Sequence, residues 1–407
     1  MRQAQTSIAL NQATISYLWR EPRAAHGFAT GVSLHSHTSQ SKETLDFIAE
    51  LSTDWSFLQP IMRWLEARSI HYSGIRPDYA RSYWTPPLTP RLAFDLERNQ
   101  IEDGLQLPGL VSITDHDTIQ APMLLRSVPS ARHIPVSVEW TVPIGPSALH
   151  LGIHNLPSAT GVHWMTRLEA FTAIPASDRP ARLLHDLLAE LDAIPGVLLI
   201  FNHPLWDLYR IGDDPHRVLV NEFLATHGQY IHALELNGLR NWKENREVAT
   251  LASRWNQLVI SGGDRHGVEP NANINLTHAS TFNEFVHEIR RERHSHILFM
   301  PQYAQPWKHR ILQSTLDAIR NYPEFPAGSR TWDERTFHPD VTGEIRPVSE
   351  LWPLTGGERK APLMVSAILT IVRLLGAAPI SGGLRLAWNE ATEMRATLAN
   401  HLAKQDA

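Results

Sequence analysis

The sequence predicts a parallel α/β architecture of the barrel type, and three observations lead there. Strand-like apolar runs recur at Gly31–His37, Leu110–His116, Ile134–Trp140, Ala148–Leu156, Val197–His203, Ile231–Asn237 and Leu258–Gly262. Helical patterns lie between most of them, as βαβ units require. Histidines and acids gather where the runs end, and in a barrel the C-terminal strand ends build the site. A chain of 407 residues is long enough for one barrel of roughly 200 to 300 residues plus an appended domain.

The first three runs share a grammar: Gly31-Val32-Ser33-Leu34-His35-Ser36-His37, Val111-Ser112-Ile113-Thr114-Asp115-His116 and Val136-Ser137-Val138-Glu139. Side chains on a strand alternate faces, so Val32 and Leu34 point one way while Ser33, His35 and His37 point the other. The small serines leave room on that inner face. The fourth run, Leu149-His150-Leu151-Gly152-Ile153-His154, offers two histidines, and His154, nearer the run's end, is the one chosen. A helix over Arg179–Ala193, with Leu183, Leu184, Leu187, Leu188 and Leu191 at helical spacing, stops at Pro195-Gly196 before the strand that ends in Asn202-His203-Pro204. Helices over Pro215–Thr226 and Trp242–Trp255 precede Glu235-Leu236-Asn237 and Gly262-Gly263-Asp264-Arg265-His266 respectively or follow them in turn. Asp264 and His266 repeat the spacing of His35 and His37, so an extended backbone aims both at one centre, with glycines before them allowing close approach.

Composition narrows the chemistry. A net charge of −5 with mixed cations gives no basic stripe, which argues against an obligatory nucleic-acid partner. There is no cysteine, so any metal here has nitrogen and oxygen ligands, and a reducing, cytoplasmic compartment is expected. Met1–Arg20 shows no secretory pattern. The most apolar run, Leu363–Ile380, holds Arg373 and a Gly376-Ala377 break, so it reads as a buried helix rather than a membrane span. Most of the 22 histidines are ordinary; His26, His71, His133, His163, His185, His227, His287 and His401 belong to no strand-end motif. His287-Glu288 starts like a zincin helix, but Arg291 stands where the second histidine is needed. No P-loop, dinucleotide fingerprint or serine-nucleophile elbow is present.

In their order, LHSHT at His35 and His37, ITDHD at His116, VEW at Glu139, NHP at His203, LELN at Glu235 and GGDRHG at Asp264 and His266 resemble the PHP (polymerase and histidinol phosphatase) superfamily of metal-dependent phosphoesterases. The resemblance covers roughly residues 28–296 and implies a distorted TIM-like (β/α)7 barrel. It also implies metal ligands at His35, His37, His116, Glu139, His154, His203, Asp264 and His266. The family's first motif carries an acid before the histidine pair and a second acid after it, and here Ser33 and Lys42 stand at those places. The second acid helps hold a third ion. Lys42 therefore points to a two-metal site, with substitution by the adjacent Glu43 as the alternative that gives three.

Imidazole with carboxylate suits zinc, manganese or iron(II). Two ions about 3.5 to 4 Å apart can bridge a water and lower its pKa towards ~7 for in-line attack on phosphorus. His203 or Asp264 would manage a proton and Arg265 would clamp a phosphate oxygen. Asp115, Asp117, Asn202 and Asn237 read as groups that orient ligands. The expected activity is hydrolysis of a small phosphate ester, monoester or diester. Metal-assisted amide or carboxylic-ester hydrolysis and a non-catalytic metal-binding scaffold are the alternatives. The expected division is an N-terminal extension at 1–27, a barrel at 28–300 and a C-terminal extension at 301–407. The barrel's insertion, at about 52–88, carries Trp55, Trp64, Tyr72, Tyr79, Tyr83 and Trp84, and Trp206 has the better claim to the pocket. In the C-terminal extension, helices over Ala361–Leu375 and Trp388–Lys404 offer a surface for homo-oligomerisation.

Overall fold

The structure is a computed structural model that describes residues 8–10, 12–45, 78, 81–175 and 178–376. Its strands run β1 (Ile8–Leu10), β2 (Ala13–Tyr17), β3 (Thr30–Ser33), β4 (Glu43–Thr44), β5 (Tyr83–Trp84), β6 (Gly109–Val111), β7 (Val136–Ile144), β8 (Ser147–Leu156), β9 (Leu198–Phe201), β10 (Ala233–Asn237), β11 (Leu258–Gly262), β12 (Asn273–Thr277), β13 (Ser295–Phe299), β14 (Thr336–Pro339) and β15 (Ile345–Pro347). Every one of the seven expected runs contains a strand, and helices Ala181–Asp192, Asp213–His227 and Trp242–Arg254 lie where their leucine and valine spacing puts them.

The architecture is mixed α/β, and among the described residues no closed barrel forms. Strands β11-β10-β9-β8-β7 make one sheet, while β3 and β6 belong to another, β1-β2-β13-β12-β3-β6. Isolated bridges join the two sheets, Ser36 with Arg265 and His116 with Glu139 of β7. The site lies at these bridges. The sheets are not all parallel either, because β8 runs antiparallel to both β7 and β9. Gly145 takes φ +52°, and with Pro146 it forms a two-residue turn closed by the Ile144–Ser147 pair. A link that short can only reverse the chain.

The strands are apolar on both faces because both faces are covered. Val32, Leu34, Leu198, Ile200, Ala233, Leu258 and Ile260 pack with Phe282, Phe285 and Val286 of helix Phe282–His287. The alternate residues Leu199, Phe201, Leu234, Leu236 and Val259 join Leu187, Leu188, Leu191, Phe223 and Val248 of the outer helices. Packing thus fixes the strand ends.

The C-terminal third packs onto the site. β14 pairs with β5 and β5 with β4, so residues 336–347 share a sheet with Glu43. Helix Trp307–Ile319 is tied to the loops after β10 and β11. Trp307 Nε1 donates to Leu239 O at 2.9 Å, Arg310 donates to the carbonyls of Gly238 and Arg240, and Asp317 Oδ2 accepts from Val268 N at 2.6 Å. The apolar run near 363 is a helix, Leu363–Gly376, but it is not the buried one expected: none of its described side chains is buried, and Leu363, Ile371 and Leu374 are more than half exposed. No described helix is long and apolar enough to cross a membrane. The second expected C-terminal helix, and Trp55, Trp64, Tyr72 and Tyr79 of the insertion, lie outside the described residues.

Candidate metal centre

The backbone at the site leaves regular strand geometry. His35, His203 and Asp264 have φ of +65°, +25° and +54°, a region that costs non-glycine residues on the order of 1 kcal/mol or more and that concentrates at functional sites. Hydrogen bonds between segments hold them there: Asp264 N to His35 O at 2.7 Å, His37 N to Arg265 O at 2.8 Å and Gly263 N to Leu34 O at 2.9 Å. The turn at His35 breaks the alternation expected from Ser33 onward. Ser33 Oγ donates to Glu97 Oε2 at 2.6 Å on helix Pro90–Leu105, away from the histidines. Ser112 and Ser137 do lie together, with their hydroxyls 2.8 Å apart.

One carboxylate organises the centre. Glu139 Oε2 lies 2.9 Å from His35 Nε2, 3.3 Å from His37 Nε2 and 3.4 Å from His116 Nε2. Its Oε1 lies 3.1 Å from His203 Nε2 and 3.3 Å from His150 Nδ1. Asp264 Oδ1 is 3.5 Å from both His35 Nε2 and His37 Nε2. Glu43 Oε2 is 3.2 Å from both His116 Nε2 and His266 Nε2, and its Oε1 is 3.4 Å from His37 Nδ1. Ligand atoms about 2.0 to 2.2 Å from one cation, at tetrahedral or octahedral angles, stand about 3.0 to 3.6 Å apart. These spacings fit shared cations. His37 Nε2 and Glu43 Oε1 are also buried with no hydrogen-bond partner, which costs free energy unless something else engages them.

Electrostatics agree with the geometry. Burial would raise the carboxyl of Glu139, but His35, His116 and His150 hold it well below the usual carboxylate range; Glu43 and Asp264 are held low in the same way by their histidines. Burial pushes His37 and His150 down to about 4, leaving imidazoles with a free lone pair. Burial also works against the His35 imidazolium, but Glu139, Glu235 and Asp264 raise it well above the histidine range. Ionised acids facing imidazoles are a donor set that could hold a cation.

Around these ligands sits a layer that orients them. Glu235 Oε1 lies 2.5 Å from His35 Nδ1, so the Nε2 of that ring is turned to Glu139. Asn202 Nδ2 donates to Glu139 Oε1 at 2.9 Å, and Asn237 Nδ2 donates to both Glu235 and Asp264 at 3.0 Å. Asp115 accepts from Thr38 N and Oγ1, beside His37; burial raises its carboxyl to about 7. Asp117 Oδ1 accepts from Thr141 N at 2.8 Å.

Two expected residues are corrected. His154 is not with the other ligands: its Nδ1 lies 2.8 Å from Ser112 Oγ, four residues further along β8. His150 stands at Glu139 instead, because β8 runs antiparallel and its beginning, not its end, meets the site. Arg265 does not face the centre. Its guanidinium donates to the carbonyls of Gly267 and Val268 and lies 3.2 Å from Glu97 Oε1. His35, His37, His116, Glu139, His203, Asp264 and His266 are brought together, and Glu43, left open by the sequence, joins them. Glu235 carried a motif but no assigned role, and only the fold shows it behind His35. Among the described residues, none of His26, His133, His163, His185, His227 and His287 enters a metal-binding group.

A cavity of about 320 Å³ opens on the centre, lined by Glu43, His116, His150, Asp264 and His266 together with Trp84, Trp206, Lys42 and Arg240. The Arg240 guanidinium carbon lies over the Trp206 ring, 3.2 Å from its centroid.

No family model matches the chain, and no curated protein matches it. Solved structures do. One, described as a metal-dependent phosphoesterase from Bifidobacterium adolescentis, is 17% identical over 50% of this chain and 91% of its own, with a TM-score of 0.32. A two-domain protein from Bacteroides vulgatus, described as containing a PHP-like metal-dependent phosphoesterase, is 13% identical over 56% of this chain and 65% of its own, with a TM-score of 0.34. An amidohydrolase from Chromobacterium violaceum, with bound sulfate and no metal, is 16% identical over 44% of this chain and 83% of its own, with a TM-score of 0.29. The chemistry of the site rests on its own side chains.

Proposed function

We propose that this chain is a metal-dependent phosphoesterase of small phosphate esters, with divalent ions held around Glu139. The supporting observation is that one buried carboxylate has five imidazole nitrogens from four chain segments within 2.9 to 3.4 Å. Among the described residues, four overlapping groups could each hold an ion: His35, His37 and Glu139; His35, His203 and Glu235; His37, Glu43 and His266; and His116, Glu139 and His150. The expected two-ion count rested on Lys42, and with Glu43 inside the centre three positions become the better reading. Zinc, manganese and iron(II) all suit these donors.

When bound, such ions supply Lewis acidity towards a phosphoryl oxygen and make water a stronger acid. The protein's own part is positional and electrostatic. Asn202 and Asn237 keep the carboxylates aimed. Arg240 and Lys42 are the cations that line the cavity, and Arg240 takes over the phosphate-oxygen role first given to Arg265. Whichever of His203 Nε2 and Asp264 Oδ1 is not engaged by an ion would hold the proton lost by the attacking water and pass it to the departing alcohol.

The test combines metal analysis of the purified protein with a panel of phosphomonoesters, phosphodiesters, amides and carboxylic esters. Turnover of phosphate esters, and only with divalent metal, is expected. Turnover of amides or carboxylic esters alone replaces this reading with the amidohydrolase one, and metal uptake without turnover of any class replaces it with a binding module.

A further inference from the structure

The cavity beside the metal centre has a character of its own. Trp206 stands 6.1 Å, centroid to centroid, from His203, and Trp84 stands 6.0 Å from His266. Leu208, Leu239, Ile311 and Ala318 line the same space. Ile311 and Ala318 come from helix Trp307–Ile319, and Ser314 and Thr315 of that helix face the cavity with them. The helix is not loosely placed. Arg335, 1% exposed, donates to the carbonyls of Ala318 and Arg320, and Asp317 accepts from Val268 N in the loop that follows His266.

Resting on the phosphoesterase reading above, we propose that the alcohol released from the ester carries a flat ring, seated against Trp84, Trp206 and the Ile311–Thr315–Ala318 face of this helix. Thr44, Thr141, Tyr209, Ser314 and Thr315 line the same space and could serve a polyol, which is the competing occupant; the apolar side, Trp84, Trp206, Leu208, Leu239, Ile311 and Ala318, is what favours a ring. A ring gains apolar contact and the geometry of indole packing. The helix from the C-terminal third thereby selects substrates without touching phosphorus.

The test compares 2-phenylethyl phosphate with n-butyl phosphate, alcohols of similar acidity, each as the monoester and as the methyl diester, on the metal-loaded full chain. The ring ester should be preferred by about tenfold in kcat/KM, mostly through KM, as burial of one ring implies. Trp206→Ala, and Thr315→Trp, which fills the cavity from the helix, should each bring that ratio towards one while metal content shows the variants folded. Equal use of both esters by the wild type, or an unchanged ratio in both variants, overturns the inference and leaves the phosphoesterase reading standing. Cleavage of neither ester overturns both.

Discussion

At the scale of single residues, Glu139 is where the site is most exposed to change. Glutamine keeps its shape and removes its charge. Glu139→Gln should therefore release metal and lower phosphate-ester turnover by more than about a hundredfold, since even the partners that merely orient ligands are worth 10 to 100-fold; full metal content and rate in that variant would remove Glu139 from the centre. His150 and His154 make a sharper pair. His150→Ala should lower metal content, whereas His154→Ala should keep the metal and cost roughly 1 to 3 kcal/mol of stability through its lost bond to Ser112, read by metal analysis and denaturant unfolding side by side. The ligands at the ends of parallel strands were legible in the sequence because spacing and strand ends suffice to place them. Glu43 was not, since Lys42 occupies the expected register and nothing local shows which of two neighbours turns inward. Arg265 was misplaced because its partner, Glu97, lies 168 positions earlier in the chain, on a helix whose packing no local pattern reveals.

At the scale of elements, direction and close approach decide what a strand delivers. The runs now seen as β9, β10 and β11 read correctly as strands, because apolar residues on both faces announce full burial. β8 read correctly as a strand and wrongly in polarity. The signal was present in Gly145-Pro146, a link too short for a crossover, but it is two residues against ten of strand-like pattern. Gly262, at the end of β11, shows the complementary constraint. A Cβ there would sit 1.6 Å from Glu235 Oε1, and Glu235 holds the ring of His35. Gly262→Ala should therefore loosen metal binding and destabilise the fold by about 1 to 3 kcal/mol, as overpacking does in rigid surroundings. Unchanged metal affinity and unfolding midpoint would show that the Glu235 carboxylate is free to move aside.

At the scale of the whole molecule, the centre makes stability depend on pH and on metal together. In the metal-free protein burial opposes the imidazolium of His116 and His266, yet Glu43, helped by Glu139 and Asp264 respectively, raises them to about 10 and about 9. Unfolded histidine titrates near 6.5. Because the folded values are higher, the stability these groups contribute is fully present below about pH 6.5 and is lost as pH rises through 9 to 10. His37 and His150, pushed down to about 4, act in the opposite sense and weaken the fold as pH falls below about 6.5 towards 4. A divalent ion takes the place of the protons on His116 and His266, so the melting temperature of metal-free protein should fall from pH 6.5 to 10 and that of metal-loaded protein should fall less. Parallel curves for the two forms would argue that no ion sits between these histidines and Glu43.

The sheet that joins Glu43 to residues 336–347 has a consequence for biosynthesis. A nascent chain can pair β4 with β5 once both have left the ribosome, but their sheet is completed only by β14, nearly three hundred residues downstream of Glu43. Any cation position that uses Glu43 would thus be completed late, after translation has reached β14.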